Sequence, residues 1–166
     1  IIAGWVENWF VWHRLDSAIA WNPRIVARLG RPRAAVNDAD LIIEALAEDP
    51  KAKTAFYQQL QPLLPEKTIL ATNSSTLLPS MLADSTGRPE KFLALHFANN
   101  IWSGNTAEVM GHDRTDPAAY DAAAKFAEDI GMIPLKLKKE KAGYILNSML
   151  VPFLSSAQAL LANGIA

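Results

Sequence analysis

The chain has 166 residues, 16 Lys+Arg against 17 Asp+Glu for a net charge of −1, and 50% apolar residues. That length suits one domain, or one and a stub, with a sizeable core. The balanced charge argues against a nucleic-acid binder, and the absence of cysteine excludes a disulfide scaffold, a thiolate zinc site and a Cys nucleophile.

The apolar start, Ile1 to Trp12, is interrupted by Glu7 and Asn8 and falls short of the about 20 residues that a membrane span needs. It also lacks the basic region and small-residue cleavage site of a signal peptide. The expectation is a soluble, cytoplasmic protein. Within this start, Trp5, Trp9 and Trp12 share i, i+4, i+7 spacing, which predicts a short helix. Composition then changes near residue 36, after an Arg- and Pro-rich stretch from Asn22 to Arg33.

From there the pattern is regular. Ala39–Leu46 is a nearly continuous apolar run, the mark of a strand covered on both faces. A helix follows from Pro50 to Leu64, with Asp49 as N-cap, Pro50 at its first position and Pro65 as its stop. Thr68–Thr72 predicts the next strand, with Asn73-Ser74-Ser75-Thr76 as its polar exit, and Leu78–Ser85 a short helix. Phe92–Phe97 and Ala107–Met110 predict two further strands. A helix over Pro117–Asp129, capped by Asp116, carries a stripe of Tyr120, Ala124 and Ala127 and ends at Gly131. Ile133–Lys138 predicts a last strand and Gly143–Asn163 a long helix. Strands alternating with helices at this spacing indicate an α/β fold with a doubly wound parallel sheet.

In such sheets ligands bind beyond the carboxyl ends of the strands. Glu48, Asn73-Ser74-Ser75 and His96 all fall at such ends. Taken alone, Ser75 also reads as a turn hydroxyl, and Glu48 as a first-turn carboxylate complementing a helix dipole. His96 emerges from a buried strand, with Glu108 twelve residues later beside another apolar run. A hydrogen bond between them would give a buried carboxylate its partner, fix the imidazole tautomer and make a general base suited to an alcohol proton. The alternative is a core histidine on a backbone carbonyl, with Glu108 at the surface. His13 and His112 have no such company, and no metal-ligand pattern occurs. Lys136, Lys138 and Lys139 form a solvated strand end or a weak anion-attracting patch.

Together these residues resemble the 3-hydroxyacyl-CoA dehydrogenase family, including 3-hydroxybutyryl-CoA dehydrogenases. The matching segments are Asp38–Glu48 with Lys53, Ala71–Ser75, Gly87–Phe97, Glu108-Val109-Met110 and Gly143–Phe153. The resemblance implies NAD-dependent oxidation of a (3S)-3-hydroxyacyl-CoA to the 3-oxoacyl-CoA in fatty acid metabolism. It makes His96 the base on the 3-hydroxyl, Glu108 its supporting carboxylate, and Ser75 and Asn147 partners of the reacting oxygens. Glu48, Lys53, Asn73 and Ser75 would line the NAD site. It also implies a Rossmann-like domain, an acyl-CoA substrate and a family homodimer.

The sequence departs from the family in three places. Residues 1–33 hold only Gly4 and Gly30 and so lack the Gly-rich phosphate turn of the first βα unit. They are expected to be an unmatched, non-native segment, with residues 34–140 a partial NAD-binding domain. Residues 141–166 are expected to be the truncated start of an all-α C-terminal domain, whose helix exposes Leu146, Leu150, Phe153, Leu154, Ala157 and Leu161. The loop after the base reads His96-Phe97-Ala98-Asn99-Asn100, which bears on the acyl group accepted. On these grounds the isolated fragment is expected to be inactive. Two alternatives remain: a non-catalytic remnant or interaction module of the same fold, and a dehydrogenase of a related hydroxy acid.

Overall fold

A computed structural model describes residues 9–12, 36, 38–99 and 104–165. Expectations for Gly4, Trp5, His13, Gly30 and Asn100 fall outside the described residues. Six strands form one sheet in sequential order: β1 (Trp9–Trp12), β2 (Leu41–Glu44), β3 (Ile69–Thr72), β4 (Phe92–Phe97), β5 (Thr106–Met110) and β6 (Ile133–Leu137). The helices are α1 (Pro50–Leu60), α2 (Pro79–Leu82), α3 (Pro117–Asp129) and α4 (Leu146–Ala162). The α/β class and the Rossmann-like layering follow the sequence reading.

Two junctions in the sheet are not parallel. β1 pairs antiparallel with β2, Trp9 opposite Glu44 and Trp12 opposite Leu41. The helix expected through Trp5, Trp9 and Trp12 is therefore a strand over its described part. Trp-Phe-Val-Trp is rich in aromatic and β-branched residues, which favour the pleated conformation, and the edge of β2 supplies the backbone partners. β4 pairs antiparallel with β5, because the eight residues between Phe97 and Thr106 are too few for the crossover a parallel pair needs. β2–β3, β3–β4 and β5–β6 are parallel.

The period of two along each strand sorts side chains onto two faces. Leu41, Ile43, Ile69, Ala71, Leu93, Leu95, Ala107 and Val109 pack against α3 through Ala119, Ala123, Ala124, Phe126 and Ala127. Small alanines let α3 approach closely, so its buried stripe is wider than the sequence suggests. Ile42, Leu70 and Phe92 face the other way, toward Tyr57 and Leu60 of α1 and Leu82 of α2. The same alternation sets Glu44, Thr72, His96 and Glu108 on that second face.

The helix ends follow local chemistry. Asp49 Oδ1 accepts from the Lys51 amide at 2.9 Å, and Asp116 Oδ1 accepts from the Ala118 amide at 2.8 Å. α1 stops at Leu60 and continues as a 3₁₀ turn over Gln61–Leu63. Pro62 is the cause, since it has no N–H to donate and crowds the preceding turn. Gly131, at φ 85°, closes α3 in the left-handed conformation. Of the face expected to be exposed on α4, Leu150, Phe153, Leu154, Ala157 and Leu161 are exposed, whereas Leu146 is half-buried; Met149 and Val151 are exposed as well. No helix of the described residues is long and apolar enough to cross a membrane.

Leu95 is fully buried between β4 and α3, whereas Met81 is 59% exposed. Leu95→Ala is expected to lower the unfolding free energy by about 2–5 kcal/mol, and Met81→Ala by at most about 0.5 kcal/mol. Urea denaturation checks the pair. Equal costs would contradict the assignment of this face to the core.

Candidate active site

His96 and Glu108 stand directly opposite each other in the antiparallel β4–β5 pair. Glu108 Oε2 lies 2.8 Å from His96 Nδ1. The Glu108 side chain is 0% exposed, and that of His96 10%. Oε1 of the same carboxylate accepts the amides of Ile145 at 2.7 Å and Leu146 at 3.0 Å, at the entry to α4. A helix N-terminus favours negative charge, and both amides occupy an oxygen as an acceptor. Oε2 is thus the acceptor for Nδ1–H, which leaves Nε2 as the basic nitrogen. No hydrogen bond to Nε2 occurs among the described residues. The alternative of a carbonyl-bound core histidine with a surface Glu108 is excluded by this geometry. It describes His112 instead, whose Nε2 sits 3.0 Å from the Pro89 carbonyl.

The polar exit of β3 is held by Glu48. Its Oε1 accepts from the amides of Ser75, Thr76 and Leu77 at 3.1, 2.9 and 3.3 Å, and from the hydroxyls of Ser74 and Thr76. Burial alone would raise the Glu48 pKa, but the hydrogen bonds from Ser74 and Thr76 outweigh it, and the carboxyl titrates below its ordinary range. Asn147 Nδ2 donates to the Ser75 carbonyl at 3.3 Å, which brings α4 to the same loop. Ser75, Asn147, His96 and Glu108 are therefore assembled at one place. Asn73 turns inward instead: its Oδ1 accepts the Phe97 amide at 2.9 Å and so ties β3 to β4.

Lys53 is also placed otherwise than at a ligand surface. Its side chain is 1% exposed, and Nζ donates to Glu44 Oε1 at 2.6 Å and the Leu46 carbonyl at 3.3 Å, with Glu48 Oε2 at 3.8 Å. Glu44 is fully buried. It also accepts from the Tyr57 hydroxyl at 2.5 Å, the Thr72 hydroxyl at 2.8 Å and the Leu46 amide at 2.5 Å. Burial, reinforced by the Glu44 charge, pushes the Tyr57 phenol well above its usual pKa. This buried cluster escaped the sequence reading, although a lone Glu inside an apolar strand was its visible sign.

Tyr144 was missed as well. It is 1% exposed and its ring centroid lies 5.2 Å from that of His96. Lys136, by contrast, pairs with Asp121 at 2.8 Å on the surface, as a solvated strand end would. The described residues contain no cluster of three or more potential metal ligands.

A family model described as 3-hydroxyacyl-CoA dehydrogenase, NAD binding domain, matches residues 25–140, well over half of the chain. The chain belongs to that family. Its match begins ahead of residue 34, where the sequence resemblance starts. A site-specific recombinase model matches residues 1–44 and overlaps it. The 3-hydroxybutyryl-CoA dehydrogenase of Clostridioides difficile is 34% identical over 131 residues, covering 79% of this chain and 46% of the relative. A solved diketoreductase, described as acting on dicarbonyl compounds, is 59% identical with a TM-score of 0.79, over 81% of this chain and 48% of that one. The (S)-3-hydroxybutyryl-CoA dehydrogenase of Ralstonia eutropha is 27% identical with a TM-score of 0.71, over 77% of this chain and 45% of that one. The chain therefore spans less than half the length of these relatives.

Removing one member of a buried ion pair strands the other. Lys53→Met is expected to cost about 3–5 kcal/mol of stability, against under about 1 kcal/mol for Lys125→Met on the exposed helix pair with Asp129. Denaturant titration of both variants decides. Because the Glu48 carboxyl has a lower pKa folded than unfolded, its contribution is present above the ordinary carboxylate range and is lost as pH falls through it. Glu48→Gln should accordingly lose less stability than wild type between neutral pH and about pH 3. Parallel acid-unfolding profiles would contradict this.

Proposed function

We propose that this domain serves an oxidoreductase that interconverts a 3-hydroxyacyl-CoA and its 3-oxoacyl-CoA with NAD, in fatty acid metabolism. The observation that carries the reading is the buried His96–Glu108 pair, whose Nε2 makes no hydrogen bond among the described residues. Nε2 would take the hydroxyl proton as the C3–H bond breaks, and the Glu108 charge would stabilise the imidazolium formed. In the reverse direction the imidazolium returns that proton to the oxygen of the reduced carbon. Ser75 and Asn147 lie beside the pair and would hydrogen-bond the reacting oxygen.

The residues present suit the nicotinamide end of the cofactor. Ser75 is half-buried, Glu48 is 37% exposed, and its Oε2 accepts no hydrogen bond from the described residues. Both sit at the carboxyl ends of parallel strands, where such ligands bind. Glu48 and Ser75 would hold that end, while Asn73 and Lys53 support it from beneath. Bound there, NAD accepts or returns the hydride.

We also place a domain boundary near residue 140, supported by the end of the family match and by the turn into α4. The exposed apolar side of α4 is where the helical region and homodimer implied by the resemblance would build. A second reading, reduction of a dicarbonyl compound, is favoured by the 59% identity to the diketoreductase. The two chemistries are close, since a 3-oxoacyl thioester is itself a 1,3-dicarbonyl unit.

The test is NADH-dependent reduction of acetoacetyl-CoA, and of a free diketone beside it, by the full-length protein that carries this domain. His96→Ala should lower turnover about 10²–10⁴-fold with NADH affinity unchanged. Turnover retained in His96→Ala would overturn the base assignment, and preference for the free diketone would favour the second reading.

A further inference from the structure

The way α4 begins couples it to the site. Its N-cap position, Ile145, makes no side-chain capping bond. The amides of Ile145 and Leu146 are received instead by Glu108, on a strand 37 and 38 residues earlier. The chain reaches that position through two successive left-handed residues, Gly143 at φ 75° and Tyr144 at φ 54°. Tyr144 is the one non-glycine with positive φ among the described residues, a conformation that an L-residue adopts only at a cost. Such strain persists only where the surroundings over-determine it. Here the buried phenol does so, its ring tilted at 47° against that of His96 and its hydroxyl donating to the Leu77 carbonyl at 3.3 Å.

Beyond its first turn α4 is exposed from Met149 to its end at Ala162. Its described attachments are therefore the Glu108 carboxylate, the Asn147–Ser75 bond and Tyr144. We infer that the Gly143–Leu146 turn positions Glu108, so that the His96–Glu108 pair is assembled only while α4 is seated. Gly143 and Tyr144 are positioning residues that act through Glu108. Half of the Glu108 carboxylate belongs to the helix and half to the imidazole. Unseating the helix would leave a buried oxygen without its two donors, and the carboxylate would rotate or hydrate to recover them. The inference rests on the reading of His96 as the base, and it makes the helical region a condition of that base's geometry.

The test is NMR of the chain itself, without substrate or cofactor, reading exchange of the His96 Nδ1 proton with water. The signal is assigned by its loss in His96→Gln. Gly143→Val places a β-branched side chain at φ 75°, which it strongly disfavours. Gly164→Val imposes the same penalty at the far end of α4, at φ 66° with nothing within 4 Å of the added Cβ. The proton should be protected in wild type and in Gly164→Val, and lost to exchange in Gly143→Val. Gly143→Ala, whose Cβ would meet the Asn147 Cβ first, at 3.4 Å, and the Ser148 amide nitrogen and hydroxyl at 3.8 Å, should fold and show the loss in part. It decides alone if the valine variant does not fold. Protection unchanged in the Gly143 variants, or lost equally in Gly164→Val, overturns the inference. Since this readout needs no turnover, its failure is distinct from turnover surviving in His96→Ala.

Discussion

A carboxylate removed from water must be given partners, and the Glu108 carboxylate receives all of its partners from elsewhere in the chain. β4 supplies the imidazole of His96, and the entry to α4 supplies two backbone amides. An isolated ion in that position would cost far more than the fold can supply. The antiparallel β4–β5 register, the left-handed turn at Gly143-Tyr144 and the seat of α4 are thus parts of one solution. The chemical consequence is a histidine with one nitrogen fixed and the other without a hydrogen-bond partner among the described residues.

A second buried acid plays a comparable role one strand away. Glu44 gathers Lys53, Tyr57, Thr72 and the Leu46 amide, and so fastens α1 to the ends of β2 and β3. Lys53 then approaches Glu48 from beneath, and Glu48 holds the turn from Ser74 to Leu77. The sheet therefore divides its labour. One face is apolar and packs on α3, while the other becomes polar toward the carboxyl ends of its strands. A one-residue slip in any of these strands would exchange the two faces, so the apolar packing against α3 also fixes the alignment of the polar side.

The elements with strong local signals were legible in the sequence. Phe92–Phe97 and Pro117–Asp129 have the bounds that alternation, capping and Pro at N1 give them. His96 and Glu108 are hydrogen-bonded, a pairing that spacing alone leaves beside the core-histidine alternative and that the family resemblance favours; Ser75 and Asn147 come from the same resemblance. What was missed depends on contacts distant in the chain. Glu44 carries no local sign of its partners, because its donors Tyr57 and Thr72 lie 13 and 28 residues away. Lys53 was assigned to the cofactor, since its sequence position does not reveal that its ammonium turns inward. The strand at Trp9–Trp12 was taken for a helix, as three tryptophans at helical spacing also suit a strand that finds a sheet edge. The short link between Phe97 and Thr106 did hold the antiparallel signal, which the general α/β pattern obscured.

The account stands on the state of one imidazole. Long-range ¹⁵N NMR correlations of His96, recorded where the ring is neutral, distinguish its two tautomers directly. The proton is expected on Nδ1, facing Glu108, with Nε2 unprotonated and basic, and this preference should disappear in Glu108→Ala. A proton on Nε2 in the wild-type protein would contradict the account, because that nitrogen would then be a donor and could not accept a hydroxyl proton.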